Sequence, residues 1–231
     1  MEEPETEPAN AAGAGSEAGA STAPAAAEHP AYPRGEKVWL RAYEREDIDS
    51  FLESANALET GVPAGYDGTM GRFQAEQWVQ KRPLEGHGRG EWYWVISPIG
   101  SREYIGTIWL WNRENRFGGM ELSLFVRASA GHGRGLGTDA IRAAVDFGFG
   151  NTETERIWMF TFAGNVRSQK AFKKAGFQQD GVIRHIGRTR GKWGDAVMMS
   201  ILRAEWEAQD RPRSWDHIAK AANDPGSTGA S

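Results

Sequence analysis

The sequence predicts a mixed α+β fold, a central, mostly antiparallel, twisted sheet of about six to seven strands flanked by helices. Three observations carry this. Between Lys37 and Arg127, four stretches alternate apolar and polar residues or run apolar at strand length, two of them joined only by Pro98-Ile99-Gly100-Ser101. From Gly118 to Gly150 the chain reads as strand, glycine-rich loop and helix. After it, a second strand–helix pair begins at Arg156, and two further strands close the fold near Leu202.

The first 34 residues hold six glutamates and one arginine, with a single aromatic residue, Tyr32, and no Ile, Leu, Val or Phe. Such a segment cannot bury enough apolar area to offset chain entropy, so a disordered acidic tail is expected over 1–34. The folded domain is expected over 35–206, and a partly helical, then mobile, extension over 207–231. Lys37 to Tyr43 alternates as a first strand. Arg45-Glu46-Asp47 places two acids at a helix start, followed by Ile48, Phe51, Leu52 and Ala55 at helical spacing. A second helix is expected from about Gly71 to Lys81, with Phe73, Trp78 and Val79 inward and Pro83 ending it. Glu91 to Ser97 and Tyr104 to Asn112 follow as strands carrying Trp92, Trp94, Trp109 and Trp111. At period two these indoles belong in a sheet core, although Trp109 and Trp111 could also face a substrate groove.

Met120 to Arg127 reads as the central strand, with Leu122, Leu124 and Val126 on one face and Glu121, Ser123, Phe125 and Arg127 on the other. Gly131, Gly133, Gly135 and Gly137 follow, and a helix from Thr138 to about Phe149. Glycines let backbone approach a ligand and adopt positive φ, and the N–H groups of the loop and helix start attract anions. A P-loop needs Lys-Ser or Lys-Thr after its last glycine, where this chain has Thr138-Asp139. A dinucleotide fingerprint needs G-x-G-x-x-G, and Gly133-Arg134-Gly135-Leu136-Gly137 has different spacing. That spacing argues against a nicotinamide-dependent oxidoreductase.

Arg156 to Ala163 is an apolar strand. Asn165 then caps a helix with Ala171, Phe172 and Ala175 inward, and Gly176 closes it. Val182 to Arg188 and Ala196 to Leu202 are expected as strands joined through Gly191-Lys192-Trp193-Gly194-Asp195, with a short helix near Trp215 to Ala222. His185 and Asp195, both in this hairpin, read as structural.

Two of these segments carry a family resemblance. His132-Gly133-Arg134-Gly135-Leu136-Gly137-Thr138 resembles the R/Q-x-x-G-x-G/A signature of the GNAT superfamily of acyl-CoA N-acyltransferases, with His132 where that family has Arg or Gln. N-x-x-S-x-x-x-F-x-x-x-G-F, from Asn165 to Phe177, resembles the second motif of the same family, 28 residues after Gly137. The closing hairpin and Arg203-Ala204-Glu205-Trp206 resemble the subgroup of ribosomal-protein N-terminal-alanine and polyamine acetyltransferases. The resemblance implies direct transfer of acetyl from acetyl-CoA to a primary amine on a small molecule or peptide, without a metal. It places pantetheine along Phe125, Val126 and Arg127. It sets the diphosphate on Gly133, Arg134, Gly135, Gly137 and Thr138 beside His132, with Arg134 and Arg167 as phosphate contacts, sets Asn165 and Ser168 near the thioester and pantetheine, and puts Phe172 in the acid position. Glu121 is the candidate base, a solvent-facing carboxylate being the alternative. The acid position of the motif holds Phe172, which cannot donate, so Ser168 or water takes that role if one is needed. A coenzyme A-binding module without turnover is the competing function.

The chain has no cysteine and five histidines without metal-ligand spacing, which argues against disulfides and zinc. No apolar run approaches the ~20 residues that span a bilayer, and the N-terminus does not read as a secretion signal. A cytoplasmic protein is expected. Outside the tail, 26 basic and 25 acidic residues leave a net charge of +1, which gives no nucleic-acid footprint. Composition leaves a homodimer open.

Overall fold

The structure, a computed structural model, describes residues 32–57, 69–86, 89–111, 119–130, 133–189 and 191–222. Seven strands form one sheet: β1 (Val38–Arg41), β2 (Glu91–Pro98), β3 (Gly106–Trp111), β4 (Gly119–Val126), β5 (Arg156–Phe162), β6 (Gln178–Thr189) and β7 (Lys192–Leu202). Their order is β1-β2-β3-β4-β5-β7-β6, and only the β4–β5 pair is parallel. Among the described residues six α-helices accompany it: α1 (Ile48–Asn56), α2 (Arg72–Gly86), α3 (Leu136–Asn151), α4 (Val166–Lys174), α5 (Arg203–Glu207) and α6 (Ser214–Ala222).

Alternation along the strands divides the core in two. On one face Leu40, Trp94, Ile96, Ile108, Leu110 and Leu122 pack against Ile141, Val145 and Phe149 of α3 and Phe172 of α4. On the other, Tyr93, Val95, Trp109 and Phe125 pack against Phe51 of α1 and Ala75 of α2. The expected indole core is present at Trp94 and Trp109, both buried, while Trp92 and Trp111 are half-buried. Arg41 and Asp47, both buried, form a bidentate pair that ties β1 to the 3-10 turn before α1.

Two expectations fail locally. Helix α2 continues through Pro83 to Gly86, and Phe73 is 70% exposed. The stripe facing the core is Ala75, Trp78 and Val79, a proper i, i+3, i+4 set from which Phe73 is displaced by two positions. The last hairpin is also longer than expected. Lys192, Trp193 and Gly194 pair with Thr189, Arg188 and Gly187 instead of looping, and bulges break the register near Asp180 and at 184–186. Gly187 is required by packing, since a Cβ there would meet the Phe162 ring at 3.0 Å, whereas Gly191 takes φ +76° at the turn. Asp195 accepts the backbone N–H of His185, whose φ is +53°, which fits a structural part in the bulge.

The outermost described segments pack on α3. The ring of Tyr32 lies 5.7 Å from that of Phe147. Asp146 of α3, 2% exposed, accepts hydrogen bonds from Trp206, from both terminal nitrogens of Arg211, and from the N–H of Ser214. One buried carboxylate thereby pins the segment leading into α6.

Candidate active site

Strands β4 and β5 pair only over Gly119–Glu121 and Arg156–Trp158. Beyond that point β4 goes on pairing with β3 as far as Val126, and β5 with β7 as far as Phe162. The two neighbours therefore part, and the sheet opens as a fork. Glu121, in register with Trp158, is the last residue before it opens.

The glycine loop stands at the wide end of this fork, directly after β4. Gly133 and Gly135 have φ of +90° and +83°, conformations that side chains rarely adopt. Gly135 is the N-cap of α3, and Asp139 N–H returns to the Gly135 carbonyl. The N–H groups of Leu136, Gly137 and Thr138 come too early for an intrahelical acceptor and remain available as donors at the positive helix end. Among the described residues, chain neighbours aside, no atom lies within 4 Å of the place a Gly133 Cβ would take, and a Gly137 Cβ would come to 3.6 Å from Val126. This backbone suits a diphosphate: positive-φ glycines, forward-facing donors and open space. His132 lies outside the described residues.

Across the fork, the Asn165 side chain accepts from the N–H of Ser168 and caps α4. At the other end, Gly176 takes φ +104° and the N–H of Phe177 reaches the Phe172 carbonyl. Ser168 is half-buried and Arg167 exposed. Phe172 is 1% exposed, set edge-on to Phe177 at 4.9 Å, so it belongs to the core under the site. The Thr138 hydroxyl contacts the Ala171 carbonyl and joins the first turn of α3 to α4. Arg134 is exposed. Arg127 donates its backbone N–H to Ile105 and pairs its guanidinium with Glu53.

Glu121 is 4% exposed on the central strand, so the solvent-facing alternative is overturned. It shares the α1–α2 face with Ser123, whose hydroxyl lies 3.3 Å from its carboxylate. Register extends this face. Glu91 stands opposite Trp111, and Trp111 opposite Glu121; in the next row Tyr93 stands opposite Trp109, and Trp109 opposite Ser123. The Tyr93 phenol donates to Glu91 at 2.6 Å, with Arg82 at 3.4 Å. Burial, reinforced by the Glu91 carboxylate, raises its pKa to about 12, so near neutrality it is a donor and not a base. Sequence reasoning passed over Glu91, Tyr93 and Arg82, because their association with Glu121 depends on strand register. Among the described residues no group of three or more His, Asp or Glu is placed to hold a metal ion.

The acetyltransferase (GNAT) domain family matches residues 37–178. The chain belongs to the GNAT acetyltransferase family. Relatives of this GNAT chain include the probable N-acetyltransferase YjcK of Bacillus subtilis, 32% identical over 78 residues, covering 34% of this chain and 43% of the relative. The chain thus spans less than half the length of the curated relatives it matches. In fold it is similar to a Vibrio cholerae spermidine N-acetyltransferase solved with CoA and spermine, with a TM-score of 0.64 at 19% identity over 74% of this chain and 98% of that one. Mycobacterium smegmatis RimJ in complex with CoA-disulfide gives 0.63 at 22% identity, over 80% and 88% of the two chains. These likenesses concern the GNAT fold, the mixed α+β sheet expected from sequence.

Proposed function

We propose that this GNAT domain transfers an acetyl group from acetyl-CoA directly to a primary amine. The observation that carries the reading is the β4–β5 fork, with an anion-binding backbone at its wide end and a buried carboxylate where it closes. From Glu121 to Val126 the strand rises about 17 Å at ~3.3 Å per residue, a span suited to an extended pantetheine arm between diphosphate and thioester.

Acetyl-CoA supplies the activated acetyl thioester, and the protein's residues hold and deprotonate. The amides of Gly133, Gly135, Gly137 and Thr138, with Arg134 beside them, bind the diphosphate. The edge of β4 in the fork offers strand-like hydrogen bonds to the arm, and Asn165 and Ser168 border its thioester end. Glu121 removes a proton from the incoming ammonium, directly or through water. The freed amine nitrogen then bonds to the acetyl carbon as the carbon–sulfur bond breaks. With Phe172 sealed in the core, Ser168 or water returns a proton to the sulfur, or the thiolate leaves unprotonated.

The acceptor enters from the α1–α2 face. Two carboxylates, Glu91 and Glu121, and the indole of Trp111 favour a cationic amine there. A cytoplasmic location goes with this reading, since acetyl-CoA is an intracellular metabolite. Thiol release from acetyl-CoA, measured across a panel of polyamines, aminoglycosides, amino acids and peptides, tests the proposal. Release with at least one amine, together with a mass gain of one acetyl group on it, is the expected result. Binding of coenzyme A with no turnover on any of them would instead favour a coenzyme A-binding module.

A further inference from the structure

The diphosphate loop is braced from behind by a part of the chain nearly a hundred residues earlier. The Nζ of Lys37, just ahead of β1, donates to the carbonyl of Arg134 at 3.1 Å. A peptide unit is planar and trans, so the N–H of Gly135 points opposite to that carbonyl. Whatever fixes the oxygen of residue 134 therefore aims the first donor of the α3 cradle. The fit is close, since a Cβ on Gly135 would come within 3.3 Å of the Lys37 nitrogen.

Lys37 is itself held in place. Asp139, in the first turn of α3 and 8% exposed, accepts the backbone N–H groups of Glu36 at 3.1 Å, Lys37 at 2.8 Å and Val38 at 3.0 Å. Hydrogen bonds to an ionised carboxylate are among the stronger ones. They latch the entry of β1 to the helix that carries the loop. The latch needs a glycine at 35, where a Cβ would lie 2.3 Å from the Asp139 carboxylate. Beside this brace opens a cavity of about 260 Å³ whose rim carries Lys37, Arg142 and Lys174 next to Gly135 and Thr138.

We infer that Lys37 is a positioning residue for the diphosphate cradle: its ammonium holds the Arg134 carbonyl outward and thereby presents the Gly135 N–H to the ligand. The inference rests on the acyl-CoA reading of the loop. The strut comes from outside the loop, from the residue just ahead of β1.

Titration calorimetry of coenzyme A into the full chain, beside hydrogen exchange of the unliganded loop, tests it. Lys37→Met should weaken coenzyme A binding about tenfold or more, raise KM for acetyl-CoA with kcat little changed, and speed exchange of the 133–139 amides. Lys37→Arg, which keeps a charged donor, should recover most of the affinity. Unchanged affinity and unchanged exchange in a folded Lys37→Met protein overturn the inference while leaving the transferase reading standing. Weakened binding with unchanged loop exchange also overturns it, because the lysine would then act only as a charge. If the parent protein binds no coenzyme A, the reading of the site fails. Faster loop exchange in Lys37→Met would still show the brace.

Discussion

In the proposed mechanism Glu121 is the base, and its burial sets the expectation for its loss. Glu121→Gln keeps shape and size but cannot accept a proton, and a positioned base contributes on the order of 10²–10⁴ in rate. Steady-state kinetics should therefore show kcat lowered at least 10²-fold by that estimate, with coenzyme A affinity unchanged by calorimetry. An unaltered kcat would remove Glu121 from the mechanism. Tyr93 offers a prediction of different sign. Its folded pKa of about 12 lies above the ordinary phenol value, so the protonated form is favoured by folding. Its stabilising contribution is then whole below a pH of about 10 and is lost as the pH climbs through about 12. Denaturant melts across that range should show a shallower loss of stability in Tyr93→Phe than in the parent. Equal slopes would mean the phenol is not held by burial and Glu91.

At the scale of elements, β4, its loop and α3 act as one unit. Gly106 of β3 shows how tightly the neighbouring strand seats on it, since a Cβ there would lie 2.3 Å from the Phe125 carbonyl oxygen. At Gly135, the φ of +83° is the constraint. Gly135→Val forces a β-branched residue into left-handed backbone, costing roughly 1–2 kcal/mol or more, and pushes against Lys37. A lower melting temperature and at least tenfold weaker coenzyme A binding are expected, read by thermal shift and calorimetry; full affinity in the variant would contradict a cradle built on this glycine. Much of this unit was legible beforehand. Alternation marked β4, the spaced glycines marked a loop that takes positive φ before a helix, and Asn165 and Gly176 marked both ends of α4. What was not legible has physical causes. Phe73 looked like core because it is large, yet the helical period runs through the smaller Ala75. Gly191 and Gly194 looked like the ends of one loop, yet the turn is confined to Gly191, with φ +76°, and Gly194 already pairs with Gly187. Lys37 carried no local signal, because its partner on the loop is brought to it only by the sheet.

Across the whole molecule, the sheet supplies the fork and α3 ties distant segments to it. Asp139 of α3 holds the entry of β1, and Asp146 holds the segment leading into α6. Removing one partner of a buried ion pair leaves the other uncompensated, typically at a cost of about 3–5 kcal/mol. Asp146→Ala should accordingly lower the melting temperature by roughly 6–20 °C, at about 2–4 °C per kcal/mol for a chain of this size. A shift within a degree or two would mean that α6 is not anchored by this carboxylate. The fold class and the two family motifs could be read from residues close in sequence. The fork itself, and the row from Glu91 through Trp111 to Glu121, required strands distant in sequence to be set in register.

The most direct test of the account is a crystal structure of the protein with coenzyme A. The account predicts the diphosphate within hydrogen-bonding distance of the amides between Gly133 and Thr138, the arm running down the fork beside β4, and the sulfur toward Glu121. Coenzyme A bound elsewhere on the protein, with the fork closed by side chains, would contradict it.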